Sequence, residues 1–191
     1  MKIEKGQPGY IKARKLKYLV WAIGEFAVVA VLVIVGYLKT GSKLNLFTVI
    51  AVVGCLPASK MLVEFITMAP HKGIEPEKFA EIEEKAGLIT RIYDTVITGN
   101  GKVMPVDAFV ISGRTICGYA GSPKANEAET ARYIKEMLQN SHVDKVTVKI
   151  FCDYVAFLSR AEGMNNIATA ESGGEGNREA KIKQLILSTS M

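Results

Sequence analysis

The chain has 191 residues, with 24 Lys and Arg against 19 Asp and Glu and a formal net charge of +5. That length allows a single globular domain, and the sign would suit nucleic acid if the charge were evenly spread. It is not: residues 1–69 hold nine basic and three acidic side chains and residues 70–191 hold fifteen and sixteen, which disfavours a nucleic-acid partner and instead suggests contact with anionic lipid headgroups near the N-terminus.

Residues 1–17 are predicted to be a basic cytoplasmic N-terminus, in which Lys2, Lys5, Lys12, Arg14, Lys15 and Lys17 face the single Glu4. Tyr18 to Leu38 follows, an apolar run whose only charge is Glu25. As a helix it would extend roughly 31 Å at 1.5 Å per residue, the thickness of a hydrocarbon core. It is longer than the apolar region of a signal peptide and no Ala-x-Ala cleavage pattern follows it, so it is read as transmembrane helix 1. Residues 39–43 form an external loop, and residues 44–68 a second span interrupted by Pro57, Lys60 and Glu64. Six basic residues before the first span, against Lys39 and Lys43 in the loop, place the N-terminus inside. The hairpin then returns residues 70–191 to the cytoplasm, giving a multi-pass protein of the cell membrane. Cys55, Cys117 and Cys152 have no paired spacing, which argues against a disulfide framework or a CxxC metal motif.

Glu25 and Lys60 lie at similar depth in the two spans, about 10–12 Å from the cytoplasmic ends. Because an unpaired charge in the bilayer is costly, the expectation is an interhelical Glu25–Lys60 ion pair, with Glu64 one turn away as a competing partner. The alternatives are snorkelling of Lys60 with a protonated Glu25, or an ion pathway in a channel or transport-accessory subunit.

The remaining 122 residues alternate helical and strand patterns. Pro76 opens a helix through Ala86, whose Glu81, Glu83 and Glu84 read as a solvated face. Leu88–Thr98, Val103–Ile111 and Thr115–Ala120, joined at Gly99-Asn100-Gly101 and Ser112-Gly113-Arg114, read as an antiparallel meander. Its middle strand is apolar on both faces apart from Asp107, as a central strand would be. Asn126–Asn140 is an amphipathic helix, and Lys145–Phe151 a strand parallel to one member of the meander. Beyond Asp153 the pattern suggests an apolar stretch to Leu158, a short strand at Ile167–Ala170, a loop at 172–176 and a helix from Asn177 to Leu187.

The order helix, three-stranded meander, helix, strand resembles the restriction-endonuclease-like fold, a mixed sheet with helices. The stretch IYDTVITGNGKVMPVDAFVISGRTICGYAGSP is similar to the nuclease-related domain of that fold. The resemblance puts Asp107 at the family's metal-binding Asp. It also puts Ala120 and Ser122 where the family has the Glu and Lys of its Glu-x-Lys pair, so two groups that a metal-dependent hydrolysis requires are missing. A rearranged nuclease site would have to draw on Lys124, Glu127 or Glu129 and bind Mg²⁺; otherwise no cofactor is expected, and Asp107 is a strand carboxylate paired to a backbone N–H or to Lys124. His71 and His142 have no partner that spacing can establish and are assigned to the surface. The chain is thus expected to be a membrane-anchored binding or scaffold protein, without enzymatic activity. It would take a protein or small-molecule ligand and associate with copies of itself. The enzyme alternative is a membrane-anchored nuclease.

Overall fold

The computed structural model describes residues 3–42, 45–99, 101–122, 125–170 and 176–191. Asn100, Lys43, Lys124 and most of the predicted loop at 172–176 lie outside the described residues. The chain divides into two compact units, Lys12–His71 and a second formed by Met1–Ile11 with Lys72–Met191.

The first unit is a helical hairpin. Helix α1 runs Tyr10–Thr40 and α2 runs Leu46–Met68. Asn45 caps α2, its side chain accepting from the Thr48 N–H at 2.9 Å. Each helix is long and apolar enough to cross a membrane, and only 11% of the most apolar stretch of each is buried. Small residues form the seam: Ala22, Ala51 and Ala58 are buried, and a Cβ on Gly54 would stand 3.3 Å from Val29. One on Gly36 would stand 2.7 Å from Phe47. These approaches fix the antiparallel register, setting Val29 level with Gly54 and Glu25 level with Ala58. At the open end the Lys15 ammonium donates to the carbonyls of Ala69, at 2.7 Å, and His71, just past the end of α2, where orphaned carbonyls and the helix dipole favour a cation.

The second unit is a sandwich of three layers. Strands β1 (Thr90–Gly99), β2 (Lys102–Ser112), β3 (Thr115–Tyr119) and β4 (Thr147–Phe151) pair in the order 1-2-3-4. The first three are antiparallel, and β4 joins β3 in parallel. Helices α4 (Glu127–Asn140) and α6 (Gly176–Thr189) pack on one face through Ile134, Leu138, Ile182 and Ile186. Helices α3 (Pro76–Lys85) and α5 (Tyr154–Ala170) pack on the other through Ile82, Phe157, Leu158, Ala161 and Met164. Strand β2 is central and two-sided, as its composition predicts. Close packing between layers depends on Gly118, where a Cβ would come within 2.6 Å of Ile150 and 2.8 Å of Phe109.

The sequence expectation fails at α5. No strand forms at Ile167–Ala170; those residues end a helix that begins at Tyr154. Its buried residues fall at helical spacing, and Gly163 faces open space, where its missing side chain costs only helix propensity.

Candidate functional site

Two buried polar residues of the α/β unit, Asp94 and Thr95, lie where β1 and β2 kink together, with the half-buried Asp107 beside them. Met104 and Val106 face the same core as Phe109 and Ile111, so the in-out alternation slips by one residue at Asp107. The same slip occurs in β1 between Ile92 and Ile97, at Asp94. Asp94 adopts φ +52°, which is uncommon for a residue with a Cβ but tolerated by Asp. The register Tyr93↔Ala108 and Thr95↔Val106 leaves Asp94 opposite Asp107.

Both oxygens of Asp94 and one oxygen of Asp107 accept from backbone. Asp94, 2% exposed, accepts from the Ile74 N–H through Oδ1 and the Gly9 N–H through Oδ2, both at 2.7 Å. Asp107 accepts from the Gly121 N–H at 2.8 Å. Burial pushes the Asp107 carboxyl up; the Gly121 N–H opposes this, the charge of Asp94 adds to it, Lys78 works against it and Glu75 reinforces it.

Asp94 also fastens residues 5–9 to the sheet. Beyond the bond to Gly9, the Tyr93 N–H donates to the Gly6 carbonyl at 2.9 Å and the Lys5 ammonium to the Ser190 carbonyl at 2.9 Å. Gly6 and Gly9 have φ of +85° and +83°, a conformation that favours glycine. Ser190 bridges to Ile97, and Met191 N–H donates to Val96. Residues 5–9 and 190–191 therefore cover the outer edge of β1, which would otherwise offer unpaired backbone groups.

Next to Asp107, α3 presents Lys78. Its ammonium is 3.1 Å from Glu75 and 3.2 Å from the Tyr119 hydroxyl, and lies 5.3 Å from the ring centres of both Tyr119 and Tyr154. The bond to Tyr119 holds the Lys78 ammonium above its usual range. The Tyr154 hydroxyl donates to Glu81 at 2.9 Å and the Tyr93 hydroxyl to Glu83 at 2.7 Å. Burial and these carboxylates raise both phenols. Glu81 and Glu83 are therefore structural partners and not a solvated face; Glu84 alone is exposed.

The candidates for a rearranged nuclease site have partners of their own. Glu127 accepts from the Cys152 N–H at 2.5 Å, and Glu129 pairs with Lys102 at 2.6 Å. Lys124 lies outside the described residues. Ala120 is buried in the core. Among the described residues no three His, Cys, Asp or Glu side chains are grouped so as to hold a metal ion. Chemically, the cluster can hold a cation between aromatic rings and lock backbone through carboxylates. Asp94 escaped the sequence reading, although a carboxylate within the apolar run of β1 was the available signal.

The hairpin's charged residues also sit otherwise than predicted. Glu25 and Lys60 do not meet: Lys60 is exposed, and Glu25 Oε2 is buried with no hydrogen-bond partner among the described residues. Lys60 follows Ala58, the residue level with Glu25 in the seam, by two positions, about 200° around the helix. Glu64 contacts the Tyr18 hydroxyl, which also accepts from Arg14 at 2.8 Å. Glu25 borders an apolar groove of about 560 Å³ lined by Trp21, Gly24, Val28, Ile50 and Pro57, among others.

Comparison with protein-family models, curated proteins and solved structures returns no match to this chain.

Proposed function

We propose that the protein is a bilayer-anchored binding protein, with the hairpin spanning the membrane and the α/β unit displayed on the cytoplasmic side as a degenerate, non-catalytic relative of nuclease-related domains. The observation that carries the anchor is the near-complete exposure of two long apolar helices, a surface that water does not tolerate and lipid does. The basic residues ahead of α1 support the orientation. The order of α3, the meander, α4 and β4 supports the fold relationship. Engagement of both Asp94 oxygens by buried or half-buried backbone N–H groups supports a structural role for that carboxylate over a hydrolytic one.

The full chain should resist extraction from membranes by alkaline carbonate and should float with lipid vesicles. Recovery in the aqueous fraction would contradict the anchor. Incubated with single- and double-stranded DNA or RNA and Mg²⁺ or Mn²⁺, the full chain should leave the nucleic acid intact; cleavage abolished by Asp107→Ala would establish the nuclease alternative.

A further inference from the structure

Two polar side chains on the hairpin's apolar surfaces have no partner among the described residues of their own chain. The Glu25 carboxylate, on the α1 side of the groove, has a buried oxygen that no donor reaches. Lys60 is exposed on α2, two residues past the position level with Glu25. Their depths therefore differ by about 3 Å along the axis, while their directions keep them apart. In hydrocarbon each is costly alone, and the solution is an opposite charge at the same depth.

We propose that the groove receives a second copy of this chain, whose Lys60 pairs with Glu25. The inference rests on the hairpin being in the bilayer. If two copies are related by a two-fold axis along the membrane normal, Glu25 and Lys60 stay at matching depth in both. Each copy then offers one carboxylate and accepts one, so a closed pair contains two equivalent ion pairs. The charges are complementary in sign, number and height. The groove also admits a helix: its lining is apolar apart from Glu25, and a Cβ at Gly24 would have nothing within 4 Å, so a neighbouring backbone can approach closely there. Trp21, 57% exposed beside Gly24, supplies a broad apolar wall for the incoming helix.

The test uses full-length chain carrying donor or acceptor fluorophores, reconstituted in phosphatidylcholine vesicles, with energy transfer followed as lipid is diluted into the bilayer. Wild-type chains should associate, and Glu25→Gln or Lys60→Met should each weaken association about tenfold. Charge reversal distinguishes pairing between copies from pairing within one. Glu25→Lys alone or Lys60→Glu alone sets like charges against each other in a homodimer and should abolish transfer, whereas an equimolar mixture of the two should restore it. Unchanged transfer in the two neutral variants, or no transfer from the mixture, would overturn the proposal and leave the groove to lipid chains with Lys60 reaching for headgroups. A chain that does not float with the vesicles would overturn the anchor and this pairing together. One that floats but stays monomeric would overturn the pairing alone.

Discussion

Each unit of the protein buries a carboxylate, and the two are treated in opposite ways. In the α/β unit, Asp94 is enclosed and both its oxygens accept backbone N–H groups from Gly9 and Ile74, segments separated by more than sixty residues. In the hairpin, Glu25 has a buried oxygen with no donor. A buried charge with two strong donors organises its surroundings, whereas one without them is a demand to be met from outside. Asp94 therefore belongs to the folding of its unit, and Glu25 to association.

The largest effect should come from breaking the satisfied carboxylate. Asp94→Ala strands two buried amides and frees residues 5–9 from β1. It should lower the stability of the α/β unit by about 3–5 kcal/mol and abolish hydrogen-exchange protection at Ile74 and Gly9. Asp94→Asn keeps one acceptor and should lose less. The matching change in the hairpin, Glu25→Gln, should leave the monomer's helix content and exchange unchanged.

Packing offers the same contrast with one kind of substitution. Gly118→Ala drives a methyl into Ile150 and Phe109 and should cost about 1–3 kcal/mol. Gly24→Ala meets nothing and replaces a poor helix former with the best one, so the hairpin should be unharmed or more stable by up to about 1 kcal/mol. Equal losses at both glycines would remove the distinction between a filled core and an open groove.

Capping of α2 by Lys15 is a smaller contribution. Lys15→Met should cost about 0.5–1 kcal/mol, visible as faster exchange in the last turn of α2 with the α/β amides unaffected.

The smallest effect is at Asp107, and its sign is informative. Its carboxyl is raised in the folded chain, so the fold binds a proton more readily than the unfolded chain does. That group's destabilisation is absent below the ordinary carboxylate value of 3.8 and grows as pH rises through the raised value. Asp107→Asn retains an acceptor for Gly121 and should stabilise the unit by roughly 1 kcal/mol or less at neutral pH, with the gain vanishing in acid. A variant less stable than wild type at neutral pH would show that the charge itself is needed.

What the sequence made legible follows from how local each signal is. The hairpin, the meander and the helix at 127–140 are written in short-range periodicity and composition, and the structure has all three, with α1 beginning at Tyr10, eight residues ahead of the expected span. Helix α5 was not legible as one element, because Gly163, Ile167 and Thr169 have weak helix propensity, which the burial of Phe157, Ala161 and Met164 overrides. That Glu25 and Lys60 lie at nearby levels along the two helices was legible, because this requires only rise per residue. Their failure to meet was not, because the direction of each side chain depends on the seam formed by Ala22, Ala51, Gly54 and Ala58. The role of Asp94 depends on Gly9 and Ile74, far apart in sequence, and no pattern within β1 points to them.

The reading of this chain as an anchored protein with its α/β unit in the cytoplasm is tested most directly by a thiol the protein already carries. Cys152 is exposed in the α/β unit, whereas Cys117 is buried and Cys55 belongs to α2. Burial and the neighbouring Glu127 raise the Cys152 thiol, so a membrane-impermeant maleimide should be applied at mildly alkaline pH to expose enough thiolate. In intact cells the full chain should stay unlabelled, and permeabilisation should release labelling at Cys152, removed by Cys152→Ser. Labelling of Cys152 in intact, sealed cells would contradict the cytoplasmic placement.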